Sequence, residues 1–279
     1  MLQRLFAAYQ EVDPPRQVQS ALTPKFLRKL YRHFCGNSGT NNHDTMHAHM
    51  ADLLLGFFFF AGRSCEYCLA SREGKTKRVA LGDIGFRDRR KNAIDIDSWD
   101  DVQKACYVTI TFRDQKNGEK GERRTQGRTG DEILDPVVRL GSAVLRLKRK
   151  MAVAQPTTEL CNVGREDGVE RLSARIILQS LKFVCNNYGG KKEFGFTAGS
   201  VGNKSLRSGA AMSLALSPKN YSTMKIMVLG RWKSDKFMRY IRPQVLELTS
   251  GLAGDMVDAD FVDLGDDNDN DLRAFALGF

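Results

Sequence analysis

Asn203-Lys-Ser-Leu-Arg-Ser-Gly-Ala-Ala-Met212, followed by Leu229-Gly-Arg-Trp-Lys-Ser-Asp-Lys-Phe-Met-Arg-Tyr-Ile-Arg-Pro243, is the stretch on which the reading of this chain turns. Lys204 and Arg207 stand at i,i+3 beside the small residues Ser208 to Ala211, which puts two cations on one face of a closely packed helix. Two cations on one face favour an anionic ligand. Leu229-Gly230 ends an apolar helix, Arg231-Trp232 turns the chain, and Lys233 to Ile241 reads as a further short helix bearing Tyr240. A tyrosine is thereby placed near a cationic pocket.

The bulk properties agree with an anionic partner. The chain of 279 residues has a formal net charge of +10, which favours a polyanion because neutralised phosphates release counterions. The charge is unevenly spread. Residues 251–279 hold eight Asp and one Arg, so residues 1–250 carry 42 of the 43 basic and 25 of the 33 acidic side chains. The body is basic and the tail acidic. Six cysteines without a regular framework suit a reducing compartment. Cys65 and Cys68 form a C-x-x-C with no second pair to complete a zinc ribbon, and they read as two cysteines on neighbouring turns of a buried helix. The apolar run Leu53 to Ala61 is shorter than the ~18 residues needed to cross a bilayer, so it reads as a core helix with no membrane partner. The N-terminus shows no secretory signal.

Along the chain, Asp13-Pro14-Pro15 marks a linker after a short helix over 1–11. Thr23-Pro24 opens a helix with Phe26, Leu27, Leu30, Tyr31 and Phe34 at helical spacing. His43, His47 and His49 complete no ligand motif and are given no metal role. The apolar helix from Met50 leads into Ala61-Gly62-Arg63-Ser64-Cys65-Glu66-Tyr67, where the Arg63–Glu66 pair is costly unless it is used or satisfied. Thr76 to Phe86 contains a strand, with basic Arg87 to Lys91 after it, and Ala93 to Ile96 adds a brief one. Tyr107 to Phe112 is a strand that turns at Gln115-Lys116-Asn117-Gly118 and returns over Glu122 to Thr129. Lys116 sits at the hairpin tip, with Lys120 as alternative because register is not fixed by sequence. Asp135-Pro136 begins a helix to Met151 whose Arg146, Lys148, Arg149 and Lys150 suggest a DNA-facing side, and Lys148 to Lys150 is a weak nuclear-targeting cluster. Residues 155–168 read as loop and Ser173 to Asn186 as an amphipathic helix. No Walker loop, dinucleotide fingerprint or repeat appears, so no cofactor is expected.

Lys204-x-x-Arg207, Leu229-Gly230-Arg231-Trp232 and Tyr240 resemble the end of the catalytic domain of tyrosine recombinases. The Arg-Trp-x-Ser-Asp-x-Phe-x-Arg-Tyr-Ile-Arg form is similar to that of eukaryotic mobile elements such as DIRS-type retroelements and Crypton transposons. Arg63 with Glu66 fits the family's first arginine and its acidic partner, and Lys116 fits its hairpin lysine. The resemblance runs from about Ala21 to Glu247. It implies a mainly α fold with a small antiparallel β-sheet (α+β), the DNA breaking-rejoining enzyme fold. The catalytic set it implies is Arg63, Lys116, Lys204, Arg207, Trp232 and Tyr240, supported by Glu66.

The chemistry implied is attack of Tyr240 on DNA phosphorus, giving a 3′-phosphotyrosyl link without ATP or metal. Two guanidinium groups can hold the non-bridging oxygens by charge-assisted hydrogen bonds. A phenol with pKa near 10 is only about one part in a thousand ionised at neutral pH, a penalty of roughly 4 kcal/mol that nearby cations reduce. Lys204 stands where histidine is common, and lysine is a poor base near neutrality unless its pKa is depressed. Trp232 precedes Tyr240 by eight positions, a shorter interval than the nine of many phage and bacterial members. The expected organisation is an N-terminal remnant or linker (1–20), the catalytic domain (21–250) and an acidic tail (251–279). Residues 1–20 are too few for the family's clamp domain, since domains need at least ~50 residues. The expected partners are double-stranded DNA and further copies of the chain, as a tetramer on paired sites. The expected location is the nucleus in a eukaryote and the cytoplasm otherwise. A type IB topoisomerase, or a decayed DNA-binding protein of a mobile element, are the alternatives.

Overall fold

Single residues set the helix starts. In the computed structural model, which describes residues 19–36, 46–70, 76–114, 120–151, 154–165, 168–217, 219 and 221–232, the Thr23 hydroxyl accepts the Phe26 amide at 3.2 Å. Pro24 then opens α1 (Pro24–Cys35), which buries Phe26, Leu27, Leu30 and Tyr31. Helix α2 (Met46–Phe58) is buried on every side over most of its length, as its run of Leu, Phe and Met dictates. A turn leads to the four-residue α3 (Ser64–Tyr67).

The sheet follows. Strands β1 (Ile84–Arg87) and β2 (Ala93–Ile94) precede the short α4 (Trp99–Lys104). The long hairpin β3 (Tyr107–Asp114) and β4 (Lys120–Gly127) completes an antiparallel sheet of order β2-β1-β3-β4. Val108, Ile110 and Phe112 alternate inward along β3 and fix its register against β1, with Ile84 opposite Ile110 and Phe86 opposite Val108. The strand predicted over Thr76 to Phe86 is confined to its last residues. The Val79 amide goes to the Glu66 carbonyl in α3 and the Leu81 and Gly82 amides to the Thr158 and Pro156 carbonyls, so these donors are spent outside the sheet rather than on a ladder.

Helix α5 (Pro136–Lys150) starts on Asp135, whose carboxylate accepts the Val137 and Val138 amides at 2.9 and 3.0 Å. Strand β5 (Asn162–Arg165) falls in the segment 155–168 read as loop and pairs antiparallel with β6 (Gly168–Arg171), which runs on from its end. Helices α6 (Ala174–Asn187), α7 (Gly190–Phe194), α8 (Ser205–Ala215) and α9 (Thr223–Gly230) follow. The fold is thus mainly helical with a small antiparallel sheet, and the described residues fall within one compact unit, 1–241. Among them no helix is long and apolar enough to cross a membrane. The helices predicted over 1–11 and Lys233 to Ile241, and the acidic tail, lie outside the described residues.

One prediction about α5 is corrected. Arg146 does not face outward: it donates to Asp52 Oδ2 at 2.9 Å, Arg139 donates to Asp52 Oδ1 at 3.0 Å, and all three side chains are buried. The Arg139 guanidinium also lies 4.3 Å from the centre of the Tyr31 ring. A single carboxylate on α2 draws α5 inward and joins it to α1. Lys148, in the last turn of α5, is half-buried and bonded to Asp97 at 2.8 Å, while Arg149 beside it is exposed.

The chain also holds α8 from its other side. The Leu22 amide donates to the Ser205 carbonyl at 3.0 Å, and a Cβ on Gly209 would stand 2.1 Å from the Leu22 carbonyl oxygen. Only glycine lets that segment lie against the helix.

His49 is buried and its Nε2–H donates to the Leu160 carbonyl at 2.7 Å. Burial, with the nearby Arg146 charge, lowers its pKa to about 3. The unfolded chain takes up this proton below about pH 6.5 while the folded one does not. Stability is therefore expected to fall as pH drops from about 6.5 towards about 3, by roughly 1.4 kcal/mol per pH unit from this residue. In urea denaturation across that range, His49→Gln, which keeps a donor, should flatten the slope by that amount. An unchanged slope would refute the assignment.

Candidate active site

The turn after α2 places the first of the predicted residues. Ala61 adopts a left-handed conformation at φ 45°, which ends the apolar run, and Arg63 then stands at the start of α3. Its backbone amide donates to Glu66 Oε2 at 2.8 Å and its guanidinium Nη1 to Glu66 Oε1 at 3.0 Å. The Glu66 side chain is 0 % exposed, so the pair is no surface ornament.

A second arginine completes it. Arg231, directly after α9, donates Nη1 to Glu66 Oε1 and Nη2 to Glu66 Oε2, both at 2.9 Å. This is a bidentate fork on a fully buried carboxylate. Burial alone would raise the Glu66 pKa, but the charge and hydrogen bonds of Arg231, and then those of Arg63, lower it overall, so the carboxylate stays ionised. The Arg231 guanidinium lies 3.5 Å from the centre of the Phe112 ring, which ties the cluster to the sheet.

Arg207 enters from α8. It donates Nη1 to the Ala61 carbonyl at 2.5 Å and Nη2 to the Gly230 carbonyl, and so joins the turn after α2 to the end of α9. Its guanidinium lies 4.1 Å from the centre of the Trp232 ring. Gly230 leaves room for that indole, since a Cβ there would stand 1.5 Å from a ring carbon of Trp232. Arg63, in turn, donates Nη2 to the Arg231 carbonyl at 3.3 Å. Among the described residues the cluster gathers the guanidinium groups of Arg63, Arg207 and Arg231 near the Glu66 carboxylate.

Beside it opens a cleft of about 490 Å³. Glu122 and Arg124 of β4 form one wall, Met224, Met227 and Val228 of α9 another, and Arg231 and Trp232 its end. Arg124 Nε donates to the Val228 carbonyl at 3.1 Å, so the sheet and α9 are linked across the cleft.

The structure therefore brings together Arg63, Glu66, Arg207 and Trp232. Lys204 is exposed at the N-terminus of α8, with its backbone amide on Gln19 Oε1 at 2.8 Å. Arg207, not Lys204, is the residue of that pair turned inward. Lys116 and Tyr240 lie outside the described residues. Lys120 begins β4, exposed and 3.9 Å from Asp114. Arg231 was missed by sequence reading, which saw a turn residue; its signal was a cation placed just after a helix-ending glycine. Cys65 lies in the single-turn α3 and Cys68 just after it, rather than on neighbouring turns of one buried helix, and burial pushes the Cys68 thiol up to about 12. His47 stacks on Phe34 at 4.9 Å, and His43 lies outside the described residues.

Compared with known proteins, the chain matches no family model, and no curated protein matches it.

Proposed function

We propose that this chain is a DNA strand-breaking and rejoining enzyme, a tyrosine recombinase or integrase built on that family's catalytic-domain fold. What carries the reading is that Arg63, Arg207 and Trp232, from three segments distant in sequence, converge on the 230–232 turn: Arg63 donates to Glu66 and to the Arg231 carbonyl, and Arg207 donates to the Gly230 carbonyl and lies over the Trp232 ring. Two guanidinium groups suit a phosphodiester in displacement, where charge gathers on the non-bridging oxygens.

In this reaction the Tyr240 hydroxyl oxygen attacks phosphorus in line with the 5′-oxygen. The P–O bond to tyrosine forms as the P–O5′ bond breaks. The phenolic proton leaves to a base, and the departing 5′-oxygen takes a proton from Lys116 or Lys120. One phosphoester replaces another, so the energy of the broken bond is kept. Attack on the phosphotyrosine by a 5′-hydroxyl from another strand then rejoins the DNA. Recombination needs paired duplexes, hence several copies of the chain, in the nucleus where the host is eukaryotic.

The test uses a pool of nicked duplexes of randomised sequence, without metal or ATP, and recovers protein–DNA adducts that survive SDS. An adduct is expected with the wild type and none with Tyr240→Phe. DNA binding without any adduct would sink the reading in favour of a binding protein. Relaxation of single supercoiled circles without strand exchange would favour a topoisomerase.

A further inference from the structure

We infer that Arg231 is a positioning residue of this site: its guanidinium forks the Glu66 carboxylate while its carbonyl accepts from Arg63, so one residue orients the arginine that would clamp phosphate. The inference rests on the function proposed above and adds a residue outside the set read from the sequence.

Three observations support it. The first is the sharing of one carboxylate. Glu66 receives the amide and guanidinium of Arg63 and both terminal nitrogens of Arg231, so the two side chains cannot move independently. The second is the adjacent peptide. The Gly230 carbonyl accepts from Arg207, so the short segment Gly230–Arg231 holds both arginines, one through each carbonyl. The third is backbone conformation. Arg231 sits at φ 55°, in the left-handed region that a helix usually ends on with glycine. A long cationic side chain is a poor choice there for capping alone. It is held in that conformation by the Glu66 fork and by the Phe112 ring, which a glycine would lack.

The geometry separates positioning from contact. Arg231 faces Glu66 and Phe112, is 4 % exposed, and acts on the reaction through Arg63. Lysine in its place would keep a positive charge beside Glu66 but could not hold both carboxylate oxygens in a planar fork.

The test compares wild type, Arg231→Lys, Arg63→Ala and the double variant in adduct formation, at the junction mapped from wild-type adducts. A second substrate carries a methylphosphonate there, replacing one charged non-bridging oxygen by a methyl group. Arg231→Lys is expected to melt as cooperatively as the wild type yet to form adduct about 10²-fold more slowly. The double variant should be no slower than Arg63→Ala, because the two residues act as one unit. The uncharged substrate should bring Arg231→Lys and Arg63→Ala alike back towards the wild-type rate. A merely structural residue would not respond to the charge of the substrate. A wild-type rate for Arg231→Lys, or a loss that adds to that of Arg63→Ala and ignores the methylphosphonate, overturns the inference while leaving the function intact. Absence of adduct from the wild type itself overturns the function, and this inference with it. Should Arg231→Lys fail to fold, Arg231→Gln, which also loses the two-nitrogen fork but leaves the direct Arg63–Glu66 contacts in place, carries the same comparison.

Discussion

Asp52→Ala is expected to destabilise the fold by about 3–5 kcal/mol, because it strips the counter-charge from two buried arginines at once. Arg139 is fully buried and Arg146 nearly so, and each spends a guanidinium nitrogen on a different oxygen of the same carboxylate. Neither can reach water to recover its hydration. The loss is large against a total stability of about 5–15 kcal/mol, so the urea midpoint should shift far at neutral pH. Asp52→Asn keeps the volume and removes only the charge, and a loss of similar size there would exclude a cavity as the cause. Replacing all three residues together, Asp52→Leu with Arg139→Met and Arg146→Met, should recover most of the stability, since a well-packed apolar substitute removes the desolvation cost on both sides. A shift below about 1 kcal/mol for Asp52→Ala would refute this account of how α1, α2 and α5 are joined.

Arg207→Ala is expected to slow adduct formation by about 10²–10³, the usual cost of losing one preorganised donor to a developing oxyanion. The same substitution strands the Ala61 and Gly230 carbonyls, at about 1–3 kcal/mol for each group that stays buried, and takes the cation from the face of Trp232. The two effects are separable. Single-turnover rates, measured where thermal melts show the variant fully folded, report the chemistry alone. Arg207→Lys should be nearly as slow, because one ammonium cannot bridge two carbonyls and still meet a planar phosphate face. If the folded Arg207→Ala variant forms adduct at the wild-type rate, Arg207 is a bridge between α2 and α9 and nothing more.

Much of the fold could be read because single residues carry it. Thr23, Asp135 and Ser173 each place a helix start through one side-chain acceptor, and Val108, Ile110 and Phe112 alternate as a half-buried strand must. Arg63, Glu66, Arg207 and Trp232 were legible for a related reason: their charge or size stands out against the small and apolar residues beside them. What could not be read depends on partners far along the chain. Arg146 looked outward because nothing near it in sequence is acidic, and Asp52 lies 94 residues earlier inside an apolar helix. The stretch Thr76 to Phe86 reads as a strand, but the Val79, Leu81 and Gly82 amides are claimed by the carbonyls of Glu66, Thr158 and Pro156, and that of Ala80 by the Asp83 side chain. Arg231 looked like a turn because its role appears only when Glu66, 165 residues away, is folded against it.

That separation has a consequence for the order in which the protein is made. At about 5–20 residues per second, a ribosome reaches Arg231 on the order of 10–30 s after Glu66. During that interval Glu66 has Arg63 as a neighbour but lacks the fork that seals it, and the apolar helix before it is already synthesised. The cluster that would do the chemistry is thus among the last parts to close, and a nascent chain stalled before residue 231 carries an acidic group meant for the interior with its main partner not yet translated.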